Sequence, residues 1–284
     1  MRAVINKAIQ QALREDHSDK DITTRCLVRE DQISSATIIS RETCIVCGLE
    51  ILTTIFRKLD KRMKITFFVQ EGEEIKKNQK IISFEGKTRA LLSGERVALN
   101  FFSYLSGIAT LTHRFVEKVS DLPVKIMDTR KTIPGLRPLV KMAVRCGGGV
   151  NHRFNLREMV IIKDNHLLAY EKDATVKKAI RHVRKQTKKL IVVEVDTFEQ
   201  FKQALDADPD VVLLDNMTIP QLKKAVQYRN HEKKACLLEA SGGINLNNIR
   251  QVALTGVDRI SIGALTHSPQ AIDFSMEFIG GESC

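Results

Sequence analysis

Val211-Val212-Leu213-Leu214-Asp215-Asn216 is a short apolar run that ends on a carboxylate and an amide. Such a run reads as a strand covered on both faces. Runs of similar length recur at 124–127, 159–162, 190–193, 235–238 and 259–262, with helical spacing between them. Strand alternating with helix means parallel strands joined by crossovers. Each run gives way to polar residues or glycine: Asp128 and Arg130, Lys163 and Asp164, Glu194 and Asp196, Asp215 and Asn216, Glu239 and Ser241, and Gly263. In a parallel barrel such residues gather at one mouth, where enzymes of that architecture carry their chemistry. The pattern predicts an α/β barrel with six countable strands and room for a seventh or eighth. An open doubly wound sheet is the alternative, although no G-x-G-x-x-G follows a first strand.

The first half of the chain has a different grammar. Strand-like segments at 36–40, 44–48, 64–70 and 80–84 are punctuated by the turn signals Glu71-Gly72-Glu73 and Lys77-Asn78-Gln79. A strongly apolar helical stretch occupies 90–119, with Gly107 expected to break it. These segments predict a sandwich-like first domain over 1–107 and a barrel domain over 108–267.

Composition bounds the function. With 284 residues and 43% hydrophobic content the chain can bury a substantial core. Forty-five Lys and Arg against 34 Asp and Glu leave a formal charge of +11, which invites a polyanionic partner. Part of that excess, Lys177, Lys178, Arg181, Arg184, Lys185, Lys188 and Lys189, has the spacing of the wet side of an amphipathic helix. Nucleic-acid binding would call for basic residues interleaved with aromatics, yet there is no Trp and only three Tyr. Ile5, Ile9 and Leu13 suit a docked helix rather than a secretory leader, and no run approaches the roughly 18 apolar residues that cross a bilayer. A cytoplasmic protein without a membrane partner is expected. Of six cysteines only Cys44 and Cys47 form a C-x-x-C pair, read here as buried structural thiols.

The chemistry concentrates between Asp128 and His166 and at the later strand ends. Arg130, Lys131, His152, Arg153 and Lys163 form a cationic side; the planar fork of arginine grips a carboxylate twice, while lysine acts as a compact charge. Ser241-Gly242-Gly243 and Ile262-Gly263-Ala264 close successive runs, and glycine turns there let backbone N–H groups approach a phosphate. Glu194 and Asp215 offer hard oxygens that suit Mg²⁺ beside a phosphate. Helix capping or pairing with a lysine is the other reading of these two carboxylates.

Asp128-Thr129-Arg130-Lys131-Thr132, Pro134-Gly135-Leu136-Arg137, Gly147-Gly148-Gly149 with Asn151-His152-Arg153, Ile162-Lys163-Asp164-Asn165-His166, Leu214-Asp215-Asn216-Met217 and Glu239-Ala240-Ser241-Gly242-Gly243-Ile244 together resemble the quinolinate phosphoribosyltransferases. The resemblance covers nearly the whole chain, through Asp21-Ile22-Thr23-Thr24, Glu95-Arg96-Val97-Ala98-Leu99-Asn100 and Gly263-Ala264-Leu265-Thr266-His267-Ser268. It implies an N-terminal open-faced α/β sandwich, an incomplete parallel α/β barrel of about seven strands, and a C-terminal tail, 268–284, packed back on the first domain. It further implies a homodimer in which Arg96 reaches the neighbouring barrel. Arg96, Arg130, His152, Arg153 and Lys163 would hold quinolinate. Lys131, Glu194, Asp215, Ser241, Gly242, Gly243, Gly263 and Ala264 would serve phosphoribosyl pyrophosphate and Mg²⁺, with Thr129, Ile262 and His267 beside them. Lys131, Lys163, Glu194 and Asp215 are the expected catalytic set. Lys20, Val140 and Asn155 depart from the family pattern without removing a charged ligand. A molybdenum-associated relative or a transferase for another pyridine acid is the nearest rival, and the presence of both Arg130 and Arg153 with Lys163 favours a dicarboxylate.

Overall fold

A computed structural model of the chain describes residues 2–170 and 174–279. These divide into two compact units, the first made of the residues up to 113, 132–148 and those from 268 on, the second of 114–131 and 149–267. In chain order the elements begin with helices α1 (Arg2–Glu15) and α2 (Ile22–Leu27), strands β1 (Ile33–Ser40) and β2 (Cys44–Ile45), helix α3 (Leu49–Leu59), strands β3 (Lys64–Phe67), β4 (Glu74–Ile75) and β5 (Lys80–Lys87), and the long helix α4 (Thr88–Glu117). Then come β6 (Lys125–Met127), α5 (Arg137–Cys146), β7 (Val160–Ile162), α6 (Asp164–Tyr170), α7 (Val176–Gln186), β8 (Ile191–Val195), α8 (Phe198–Leu205), β9 (Val211–Asp215), α9 (Ile219–His231), β10 (Leu237–Ser241), α10 (Ile249–Ala253), β11 (Arg259–Ser261), α11 (Ala264–His267) and β12 (Phe274–Ile279).

An antiparallel sheet in the order β12-β1-β5-β3 forms the face of the first unit, with β2 and β4 paired separately. Its core is aromatic where helix meets sheet. Phe56 of α3 lies against Phe84 of β5 at 4.3 Å between ring centroids, and Phe102 of α4 against Phe274 of β12 at 4.5 Å. The tail thus supplies the edge strand beside β1; its last positions, 280–284, lie outside the described residues. The break expected at Gly107 is not there, because α4 runs through it without interruption. A Cβ at Gly107 would stand 2.0 Å from the carbonyl oxygen of Gln270. Close passage of the chain at 270, not a turn, accounts for this glycine.

The second unit is the parallel sheet, six strands in the order β6-β11-β10-β9-β8-β7. A single parallel bridge between Met127 and Val150 extends it beyond β6, a vestige of the further strand that the barrel pattern left room for. Strand β9 is buried along Val211, Val212, Leu213 and Leu214, as a strand covered on both faces must be. Helix α7 buries Val176, Ala179 and Ile180 and turns its basic residues outward, where Lys177 and Arg184 pair with Asp206 and Asp210. In the parallel sheet the bounds of β8 and β10 differ most from the sequence reading. Strand β8 continues through Glu194, and β10 begins at Leu237 and includes Glu239 and Ser241. Hydrophobicity marks only the buried base of such strands, whereas their upper residues face the polar mouth. Among the described residues no helix is long and apolar enough to cross a membrane.

Gly107→Ala is expected to destabilise the first unit by about 1–3 kcal/mol through overpacking. Chemical denaturation checks this, and unchanged stability would refute the assigned close approach.

Candidate active site

The upper ends of the parallel strands enclose a cavity of about 730 Å³. Its wall carries Thr129, Arg130, Lys131, His152, Arg153, Lys163, Glu194, Asp215, Ser241, Gly242, Gly243, Ile262, Gly263, Ala264 and His267, so the residues singled out from six strand ends and the loop at 151–153 converge. Arg96 is not among them. It is exposed on α4, in a hollow of about 300 Å³ lined entirely by first-unit residues such as Asn100 and Tyr104.

Asp128, fully buried at the end of β6, organises one side. Its Oδ2 accepts from Asn151 Nδ2 at 2.6 Å and its Oδ1 from the His152 backbone N–H at 2.9 Å. That clamp brings Arg153 beside Arg130. Each guanidinium has a buried Nε without a hydrogen-bond acceptor, although Arg153 Nη1 donates to the Met159 carbonyl at 3.1 Å. Burial first, and then the positive charge of Arg130, holds Arg153 below its ordinary pKa. Two like charges facing one cavity with unmet donors are an arrangement that an anion with two charges can neutralise. Ile161 and Leu213, also on the wall, give an aromatic ring an apolar surface to lie on.

His152 lines the same cavity beside Arg153. Its Nδ1 accepts the Arg153 backbone N–H at 2.7 Å, so that nitrogen carries a lone pair and the ring proton sits on Nε2. Nε2 faces Glu239 Oε1 at 3.4 Å. The sequence reading places Glu239 at the mouth but gives it no role in the site. It is wholly buried, lines the cavity, and neither carboxylate oxygen has a hydrogen bond. Its position two residues before Ser241, hence on the same face of β10, is the signal that could have found it.

On the opposite side Lys163 Nζ lies 2.5 Å from Glu194 Oε2. The lysine pairing left open for Glu194 is therefore present. Asp215 Oδ2 accepts from its neighbour Asn216 Nδ2 at 2.7 Å. Gly242 has φ +90°, and a Cβ there would stand 2.1 Å from Asn216 Oδ1, so only glycine passes; Gly243 is next at φ +62°. Lys131 and His267 both flank Gly263. Thr266 Oγ1 donates to the Lys131 carbonyl at 2.7 Å, and the Lys131 N–H donates to Thr129 Oγ1 at 3.1 Å, which ties the Lys131 loop to α11. Glycine backbone, a lysine and a histidine are the donors a phosphate needs.

The chain is similar to known proteins along nearly its whole length. Residues 21–106 match the family model for the quinolinate phosphoribosyl transferase N-terminal domain and residues 108–277 that for its C-terminal domain. The chain is 38% identical to the nicotinate-nucleotide pyrophosphorylase (carboxylating) of Mycobacterium leprae, covering 95% of each chain. It is 35% identical to a mitochondrial quinolinate phosphoribosyltransferase (decarboxylating) of Nicotiana glauca, covering 96% of this chain and 82% of that one. The solved nicotinate-nucleotide pyrophosphorylase from Francisella tularensis superposes with a TM-score of 0.92 at 37% identity, over 98% of this chain and 97% of that one.

Glu239 is expected to act by holding the His152 ring, and through it the Arg153 backbone. Long-range ¹H–¹⁵N spectra should show the Nε2–H tautomer of His152. Glu239→Gln keeps an acceptor and should leave binding of an aromatic dicarboxylate within about threefold of wild type, whereas Glu239→Leu should weaken it at least about tenfold. Equal losses in both variants would show that the charge itself, not the positioning, is what matters.

Proposed function

The chain belongs to the quinolinate phosphoribosyl transferase family, and we propose that it transfers the phosphoribosyl group of phosphoribosyl pyrophosphate to quinolinate with loss of carbon dioxide, giving nicotinate mononucleotide and pyrophosphate for NAD synthesis. The observation that carries this reading is the Arg130–Arg153 pair, whose mutual repulsion and acceptor-less Nε atoms call for a dianionic ligand. A pyridine dicarboxylate supplies two carboxylates on a flat ring, which fits the guanidinium forks and the Ile161 and Leu213 surface. Nicotinate, with one carboxylate, would leave half of that demand unmet. The residues of this site belong to one chain; we further read the enzyme as a homodimer in which Arg96 of the partner subunit adds a cation to each cavity. Its cysteines, free thiols where described, agree with a cytoplasmic setting.

In this reading Arg130, Arg153 and Lys163 orient quinolinate so that its ring nitrogen faces the ribose carbon. The Gly242, Gly243 and Gly263 amides, with Lys131 and His267, receive the phosphate groups. Glu194 and Asp215 fit Mg²⁺ in the limited way that two carboxylates do. One oxygen of each is already engaged, by Lys163 and by Asn216, so it is the remaining oxygens that would hold the ion. When bound there, Mg²⁺ supplies neutralisation of the departing pyrophosphate. Lys131 stabilises the same leaving charge from the protein side, and the ribose carbon acquires oxocarbenium character as the nitrogen attacks from the opposite face. Alkylation makes the nitrogen cationic. The bond to the adjacent carboxylate then breaks with its electron pair drawn toward that nitrogen, and a proton from solvent takes the place of carbon dioxide. No base of high strength is needed for the first step, so positioning and charge carry the catalysis.

With Mg²⁺, quinolinate and phosphoribosyl pyrophosphate, the purified protein is expected to release carbon dioxide and pyrophosphate in equal amounts. Turnover of nicotinate in place of quinolinate would defeat the assignment. Arg153→Ala should weaken quinolinate binding by about 2–5 kcal/mol while leaving phosphoribosyl pyrophosphate binding largely intact. Calorimetry showing the same loss for both ligands would contradict this division of labour.

A further inference from the structure

Within the first unit three donor side chains meet that the transferase reaction does not use. Cys47 lies at the turn into α3, Glu71 in the loop before β4, and Cys146 at the end of α5; their ligand atoms all lie within 4.8 Å of one another. Cys146 Sγ is 3.8 Å from Glu71 Oε1. Two ligand atoms on a tetrahedral zinc stand roughly 3.5–3.8 Å apart, given Zn–S distances of about 2.3 Å and Zn–O distances of about 2.0–2.2 Å. The triangle needs little adjustment to close on one ion.

We propose that Cys47, Glu71 and Cys146 form a Zn²⁺ site, with two thiolates and one carboxylate from the protein and a water as the fourth ligand. Thiolate sulfur selects zinc over magnesium, which takes oxygen ligands in octahedral geometry. The carboxylate is oriented in advance. Glu71 Oε1 accepts the Gly48 N–H at 2.5 Å and Oε2 the Leu49 N–H at 3.0 Å, at the start of α3. Outer hydrogen bonds of this kind are what fix a ligating carboxylate in place. Cys47 is buried, Cys146 partly so, and Glu71 exposed, so the ion enters on the Glu71 side and keeps its water there. Cys44, the other half of the C-x-x-C pair, takes no part, since its Sγ faces Ser40 Oγ at 3.7 Å. Without a cation the site is an assembly of acids. The adjacent Cys146 thiol, burial and the Glu71 charge push the Cys47 thiol well above its ordinary range. Binding a metal through the Cys47 sulfur therefore releases its proton to solvent, and affinity rises with pH.

Full-length protein, reduced and freed of metal, is expected to take up a single equivalent of Co²⁺ with thiolate-to-cobalt charge-transfer absorption, and Zn²⁺ should displace it. Cys47→Ser and Cys146→Ser should each abolish the band, and Cys26→Ser, at an exposed thiol, should leave it. Because substitution at Cys47 can disturb the core, X-ray absorption of the zinc-loaded wild type gives a second reading, two sulfur neighbours at about 2.3 Å. A cobalt complex without charge transfer, zinc bound through nitrogen and oxygen alone, or zinc binding undiminished in Cys146→Ser overturns the proposal. None of these readouts depends on quinolinate turnover.

Discussion

The clamp that Asp128 places on Asn151 and His152 is the interaction on which the site rests. A fully buried carboxylate is costly unless its oxygens are satisfied, and here both are satisfied by the segment that carries Arg153. The same segment adds Val150 to the sheet through its bridge to Met127. Backbone pairing and side-chain pairing therefore act on one stretch of chain. Their joint effect is to hold two guanidinium groups near each other against repulsion, which neither would do alone. Strain of this sort belongs in an active site, because the ligand that relieves it is the ligand that is recognised.

Unmet polar atoms cluster accordingly. Arg130 Nε, Arg153 Nε and both oxygens of Glu239 are buried without hydrogen bonds, and all three residues line one cavity. The lower parts of the barrel strands are apolar. Stability surrendered at the mouth is recovered along strands such as β9, buried from Val211 to Leu214. A rigid floor is what lets the upper ends of the strands keep such a costly arrangement in place.

Much of this was legible in the residues. The alternation of short apolar runs with helices gave the parallel sheet, because burial on both faces leaves a continuous hydrophobic signature. Arg130, Lys163 and Ser241 could be placed at the mouth because each follows or ends such a run. Glu239 was harder. It could be placed at the mouth beside Ser241, but nothing local in the sequence relates it to the His152 ring that it faces. The role of Gly107 was hidden because a glycine in a helical pattern reads as a break, while its actual neighbour, Gln270, is remote in sequence. The partnership of Cys47 with Cys146 was invisible for the same reason; the nearby Cys44 drew attention to the wrong pair. Local periodicity reports what a residue buries, not which distant segment it meets.

The edge strand β12 has a consequence for how the molecule is made. It lies antiparallel to β1, and Arg41 and Glu277, joined by a salt bridge at 2.6 Å, are 236 positions apart. On the ribosome, β1 emerges early and its outer partner only after the strands of the parallel sheet. The N-terminal sheet must therefore wait, with one margin open, until every strand of the parallel sheet has been synthesised. Assembly runs against chain order: the sheet that starts first is completed by a strand that follows the whole of the other sheet.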